Sequence, residues 1–93
     1  MLDIKKGPNK FYVGEDAGKP AAEVILTTDD KDRIIIEHTY VTADFLKGKG
    51  AGKELIKCVV DHAREEGKKV IPHCKFAIAE FEKNKDYEDV LDK

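Results

Sequence analysis

The chain has 93 residues and 10.4 kDa, which suits one small domain over residues 1–93 and excludes a multidomain enzyme. Charged residues make up 39%, 17 basic against 19 acidic, for a formal net charge of −2, so bulk charge argues against a nucleic-acid binder. Hydrophobic residues reach 41%, enough for a core, yet no apolar run approaches the ~20 residues of a membrane span.

The start, Met1-Leu2-Asp3-Ile4-Lys5-Lys6, lacks the apolar stretch of a secretory signal, so a cytoplasmic protein is the default expectation. Phe11-Tyr12-Val13 reads as a short strand closed by Gly14 and Gly18. Ala21 to Thr27 follows Pro20 and is rich in β-branched residues, which predicts a second strand. Asp29-Asp30-Lys31-Asp32 is a turn by composition. Arg33 to Val41 is the strongest strand signal, and its continuous apolar run predicts a central strand covered on both faces.

The period changes from Ala51. Ala51, Leu55, Ile56, Val59, Val60 and Ala63 trace one helical stripe, with Gly67 placed as a C-terminal cap. Lys69 to Cys74 predicts a fourth strand, and Pro72, lacking an N–H, assigns it to an edge or a bulge. Phe76, Ala77, Ile78 and Phe81 suggest a second, shorter helix, and Tyr87 to Leu91 a last turn. The expected order is βββαβα, an α+β fold whose sheet is mainly antiparallel, with the first helix joining a parallel pair.

Cys58 and Cys74 form no CxxC, and His38, His62 and His73 are scattered, so no metal site is expected. Free thiols fit a chain with so few cysteines. Cys58, at the border of the helical stripe, reads as structural.

The segment Lys47-Gly48-Lys49-Gly50-Ala51-Gly52-Lys53 stands between the best strand and the best helix. Glycines there let backbone amides approach an anion, and the helix N-terminus adds partial positive charge. Lys47, Lys49, Lys53 and Lys57 face a single acid, Glu54, in this stretch. No Ser or Thr follows at Walker spacing, and a Rossmann glycine motif would need glycine at position 53, which is lysine.

Lys47 to Gly52 resembles the pyrophosphate-binding signature of the GNAT acetyltransferases, (Arg/Gln)-x-x-Gly-x-(Gly/Ala). More closely, the chain resembles the minimal GNAT-like family of predicted N-acetyltransferases, the YjdJ-like group. The stretches that carry this are His38-Thr39-Tyr40-Val41, Leu46 to Leu55, Cys74-Lys75-Phe76-Ala77 and Asp86-Tyr87-Glu88-Asp89-Val90. The first motif position is Lys47, which keeps the charge but not a planar bidentate contact.

This resemblance implies a GNAT-like mixed sheet with two splayed parallel central strands and acetyl-CoA held between them as cosubstrate. It implies an N-acetyltransferase that moves the acetyl group from the thioester to an amine. The alternative is an acetyl-CoA-binding module with little or no catalysis. By the same resemblance, Val41 pairs with the pantetheine arm, and Lys47, Gly48, Lys49, Gly50, Ala51, Gly52 and Lys53 hold the phosphates. Cys74 is the first candidate catalytic residue, as nucleophile or as proton donor to the departing CoA thiolate. His38 is a candidate base, since histidine titrates near neutrality. The acceptor is an unidentified amine; the acidic tail from Glu80 to Lys93 reads either as an attractor for a cationic acceptor, a lysine-bearing protein or a polyamine, or as a solvated helix face. A monomer without membrane or nucleic-acid partner is expected.

Overall fold

In the computed structural model, residues 3–15, 18–42 and 50–92 are described, and they build a single five-stranded sheet in the order β1-β2-β3-β4-β5. β1 (Ile4–Gly7), β2 (Lys10–Val13), β3 (Ala22–Thr28) and β4 (Ile34–Val41) are antiparallel in sequence; β5 (Val70–Pro72) pairs with β4 in parallel. Helix α1 (Ala51–Glu66) connects β4 to β5, and α2 (Lys75–Lys83) follows β5. A 3-10 turn spans Lys85–Tyr87. Among the described residues no helix is long and apolar enough to cross a membrane.

One strand more than expected stands at the front of the order. β1 pairs with β2 around Pro8 and Asn9, with Asn9 at φ 56°. Proline followed by a left-handed asparagine suits a tight turn, so the hairpin rests on turn chemistry. Its strand has no clean alternation; Ile4 alone of its side chains packs against the core. The turn between β3 and β4 is held by Asp29, whose carboxylate accepts the backbone N–H groups of Lys31 (3.0 Å) and Arg33 (2.9 Å).

The helical stripe is buried as its spacing requires. Leu55, Ile56, Val59, Val60 and Ala63 are fully covered and pack on Phe11, Ala22, Val24, Ile34, Ile36 and Val70 of the sheet's inner face. α2 adds Ala77 and Phe81 to the same cluster. Gly67 ends α1 at φ 66°, and Lys68 N–H bonds back to the Ala63 carbonyl (2.9 Å); only a residue tolerant of positive φ closes a helix this way.

The expectation that β4 is covered on both faces does not hold. Ile34 and Ile36 are buried, Ile35 is half-buried, and His38 and Tyr40 are exposed. The reason is that α1 packs on one face of the strand. A bulge then divides β4. Ile25 pairs with His38 but Leu26 pairs with Ile36, which leaves Glu37 as the extra residue. One inserted residue exchanges the two faces of a strand. Beyond Glu37, Thr39 and Val41 therefore turn inward, and His38 and Tyr40 turn outward.

β5 is the sheet edge, so the parallel pair lies at one end of the sheet rather than in its middle. It pairs with β4 only from Ile34 to Ile36. The N–H groups of His73 (3.0 Å) and Cys74 (3.3 Å) then both reach the Ile36 carbonyl, and the chain leaves the ladder. On the outer edge, Val70 bonds to Val90 and Asp92 of the C-terminal segment (2.6 and 2.9 Å). By strand alternation Pro72 is the next residue to face outward. Its missing N–H therefore costs no ladder bond, as expected of an edge position.

Candidate functional site

The site begins where β5 parts from β4. Cys74 follows β5 in an extended conformation (φ −78°, ψ 149°) and caps α2, its Sγ accepting the Ala77 N–H at 3.4 Å. Cysteine is not among the favoured cap residues, and sulfur is a weak acceptor. A capping role alone therefore gives little reason for this residue type. The second partner of Sγ is the Thr39 hydroxyl, also at 3.4 Å. Thr39 faces Cys74 because the Glu37 bulge turned it inward. Both side chains are half-buried.

The backbone next to Thr39 is also directed. Thr42 donates to the Ala21 carbonyl (2.8 Å), so alternation turns the N–H and C=O of Val41 away from β3. They point to the side that β5 has left. An extended ligand arm laid there would meet unpaired backbone groups.

The N-terminus of α1 completes the arrangement. Gly50 caps it in the left-handed region (φ 77°, ψ 19°), and its carbonyl accepts the Glu54 N–H (3.0 Å). A Cβ at Gly50 would meet nothing within 4 Å, so glycine serves the backbone conformation there. Gly52 has another cause: a Cβ would lie 2.8 Å from Cζ of Phe76. Phe76 is in the first turn of α2, so this contact brings the N-termini of the two helices side by side. Each contributes partial positive charge at the same end of the parallel strands. Ala51 is 2% exposed and Gly52 is buried, so what they offer an anion is backbone N–H. Lys53 is exposed and offers an ammonium group.

Thr39 and Cys74 thus meet directly, and Gly52 at the start of α1 packs on Phe76, two residues beyond Cys74. Lys47, Gly48 and Lys49 lie outside the described residues. His38 is not brought to Cys74. It stands on the outer face of β4, stacked on Tyr40 with ring centroids 5.5 Å apart and planes at 24°. Thr39 is the partner of Cys74 that sequence reading did not single out. The break of the apolar run at Glu37 was its signal, but only pairing with β3 shows that a bulge is there.

The remaining candidates lie elsewhere. Cys58 is half-buried in the middle of α1, and burial, then the nearby Asp61 and Glu65 charges, push its thiol pKa up. His62 meets the Phe11 ring edge-on at 5.6 Å, and His73 is exposed. Tyr87 packs edge-on against Phe81 at 5.4 Å. Its hydroxyl pKa is raised by burial first and by the Glu80 charge second. Among the described residues no group of three His, Cys, Asp or Glu side chains could hold a metal ion.

Residues 10–90 match a family model described as GCN5-related N-acetyl-transferase. The solution structure of a "GCN5-like putative N-acetyltransferase" from Staphylococcus aureus is 47% identical, covering 97% of this chain and 87% of that one at a TM-score of 0.81. The crystal structure of glucosamine-6-phosphate N-acetyltransferase from Arabidopsis thaliana is 26% identical, covering 87% of this chain and 56% of that one at a TM-score of 0.49. No curated protein matches the chain.

Proposed function

The chain belongs to the GCN5-related N-acetyltransferase family, and we propose from this that it is an acetyl-CoA-dependent N-acetyltransferase, with residues 1–93 forming one domain and the transfer taking place where β4 and β5 part. The observation that carries this reading is the meeting of Thr39 and Cys74 at 3.4 Å, next to two helix N-termini.

The arrangement suits the donor on three counts. The Val41 backbone groups face the side where a pantetheine arm would lie. The α1 N-terminus, with Gly50, Ala51, Gly52 and Lys53, suits a pyrophosphate, and Lys47, Gly48 and Lys49 continue the same stretch of chain. Thr39 and Cys74 supply a hydroxyl and a thiol at the reacting end. Acetyl-CoA brings the acyl thioester.

In the transfer, the amine nitrogen forms a bond to the acyl carbon, the carbon–sulfur bond breaks, and the sulfur leaves as a thiolate. The nitrogen gives up a proton to a base, a role His38 takes in this reading. The thiolate receives a proton from Cys74, which the Thr39 hydroxyl orients; Cys74 regains one from solvent as His38 releases its own to solvent. Amine and thioester thereby become amide and thiol, with atoms and charge balanced.

Calorimetric titration with acetyl-CoA tests the donor site. Saturable binding is expected, and absence of heat at near-millimolar ligand overturns the reading. Cys74→Ala should retain binding and slow CoA release. A second reading, a module that binds acetyl-CoA without turnover, is favoured by one observation: Sγ of Cys74 is already engaged as the cap of α2. Unchanged CoA release in Cys74→Ala would remove that residue from the chemistry. Binding without release for any amine would select the module.

A further inference from the structure

We propose, resting on the acetyltransferase reading above, that the outer face of β4 receives the acceptor, and that the acceptor is a lysine side chain carried on a polypeptide. The bulge at Glu37 divides the chemistry between two faces. Thr39 points toward Cys74; His38 and Tyr40 point the opposite way. Past Ile36 the backbone of β4 has no partner in β5. At that edge β5 no longer closes the outer face off from the junction.

The residues on this face have the chemistry of an ammonium site. Tyr40 is 45% exposed and stacks on His38, giving a platform of two rings. The carboxylate that faces it is Glu37, which precedes His38 with its Oε1 held by the Thr27 hydroxyl at 3.0 Å; Glu23, opposite Tyr40 in the ladder, is already paired with Lys10. The same face already holds one alkylammonium in this manner. Lys10 Nζ is 3.1 Å from Glu23 Oε1 and 5.7 Å from the centroid of the Tyr12 ring. Carboxylate and ring together select a primary amine in its charged form. Glu37 and His38 are then in place to take up the proton it must lose.

Magnitudes decide between a free amine and one on a scaffold. An exposed cation–π contact and an exposed ion pair are each worth a few-fold in affinity. Even a ring platform with a carboxylate stays short of a millimolar Kd. A free polyamine would be held only weakly on so open a face. A polypeptide adds contacts outside the amine, so a lysine presented on one fits this surface.

Amide-shift mapping with a lysine-containing peptide, and in parallel with spermidine, tests the proposal without any donor present. The peptide should shift Glu23, Glu37, His38 and Tyr40, and bind about tenfold more tightly than spermidine. Tyr40→Ala and the conservative Glu37→Gln should each weaken the peptide at least threefold, with the amide spectrum of the fold retained and acetyl-CoA binding unchanged. Tyr40→Phe keeps the ring and should keep the affinity. Peptide shifts that fall elsewhere, equal binding of spermidine, or indifference to both variants overturns the proposal. Acetyl-CoA calorimetry on the same samples reads the donor separately. Peptide binding on this face without acetyl-CoA binding overturns the transferase reading alone, and acetyl-CoA binding without the peptide overturns this proposal alone.

Discussion

The Thr39 hydroxyl and the Cys74 thiol are 35 residues apart in sequence and 3.4 Å apart in space. Their meeting depends on the bulge at Glu37, since an unbroken β4 would present Thr39 to the opposite face. Thr39→Val keeps the shape and removes the hydroxyl. We expect acetyl transfer to fall about tenfold, the value of one hydrogen bond of roughly 1.4 kcal/mol, with acetyl-CoA affinity within twofold. Thr39→Ser should restore the rate, read as CoA release.

Gly52→Ala places a methyl 2.8 Å from the Phe76 ring. Alanine gains about 1 kcal/mol of helix propensity over glycine, but overpacking costs about 1–3 kcal/mol. The variant should lose stability in the native background and gain about 1 kcal/mol in Phe76→Ala. A double-mutant cycle by thermal melting measures the coupling; additive effects would contradict the packing.

The Cys58 thiol pKa is raised by burial and by Asp61 and Glu65. A raised pKa means less thiolate at a given pH. Alkylation of Cys58 by iodoacetamide should therefore be slow at pH 8 and keep climbing past the ordinary thiol value of 9.0. Glu65→Gln should speed it at fixed pH, as followed by mass spectrometry of the peptide containing Cys58.

Arg64 grips the C-terminal segment through a forked pair to Asp89, Nε to Oδ2 at 2.9 Å and Nη2 to Oδ1 at 2.8 Å. The hydrogen bonds from Arg64 hold the Asp89 carboxyl below its ordinary pKa. A depressed folded-state pKa gives stabilisation that is present above the unfolded value and is lost as pH falls through the folded one. Amide shifts from Tyr87 to Leu91 should therefore move as pH drops below about 4. Arg64→Ala should weaken this transition and shift it upward in pH.

Glu80 is 3% exposed, and its Oε2 has no hydrogen-bond partner; Lys83 Nζ is 3.8 Å away. A buried carboxylate so poorly matched costs more than an apolar side chain of similar volume. Glu80→Met should stabilise the fold by about 1 kcal/mol, or about 4–8 °C in Tm. A lower Tm would mean that the carboxylate has a role in the fold.

Much of the fold was legible because local rules and burial agree. The stripe from Ala51 to Ala63 is the buried face of α1, Gly67 is its cap, and Pro72 stands on an outer edge. Each is decided within a few residues, by helical period, left-handed backbone or a missing donor. The hairpin of β1 was less visible because Ile4 is its one core side chain, and Pro8-Asn9 spoke only through turn chemistry.

What the amino-acid sequence determined alone is therefore the elements after β1, the family and the glycine-rich approach to α1. The tertiary structure decided which side chains meet where β4 and β5 part. Which face Thr39 takes follows from pairing with β3, since a one-residue slip reverses every later side chain. Whether Gly52 tolerates a Cβ follows from Phe76, contributed by another helix. His38 and Cys74 both belong to the stretches that carry the family resemblance, yet they stand on opposite sides of the strand. A register shift between distant segments leaves no local pattern, and only the folded sheet shows it.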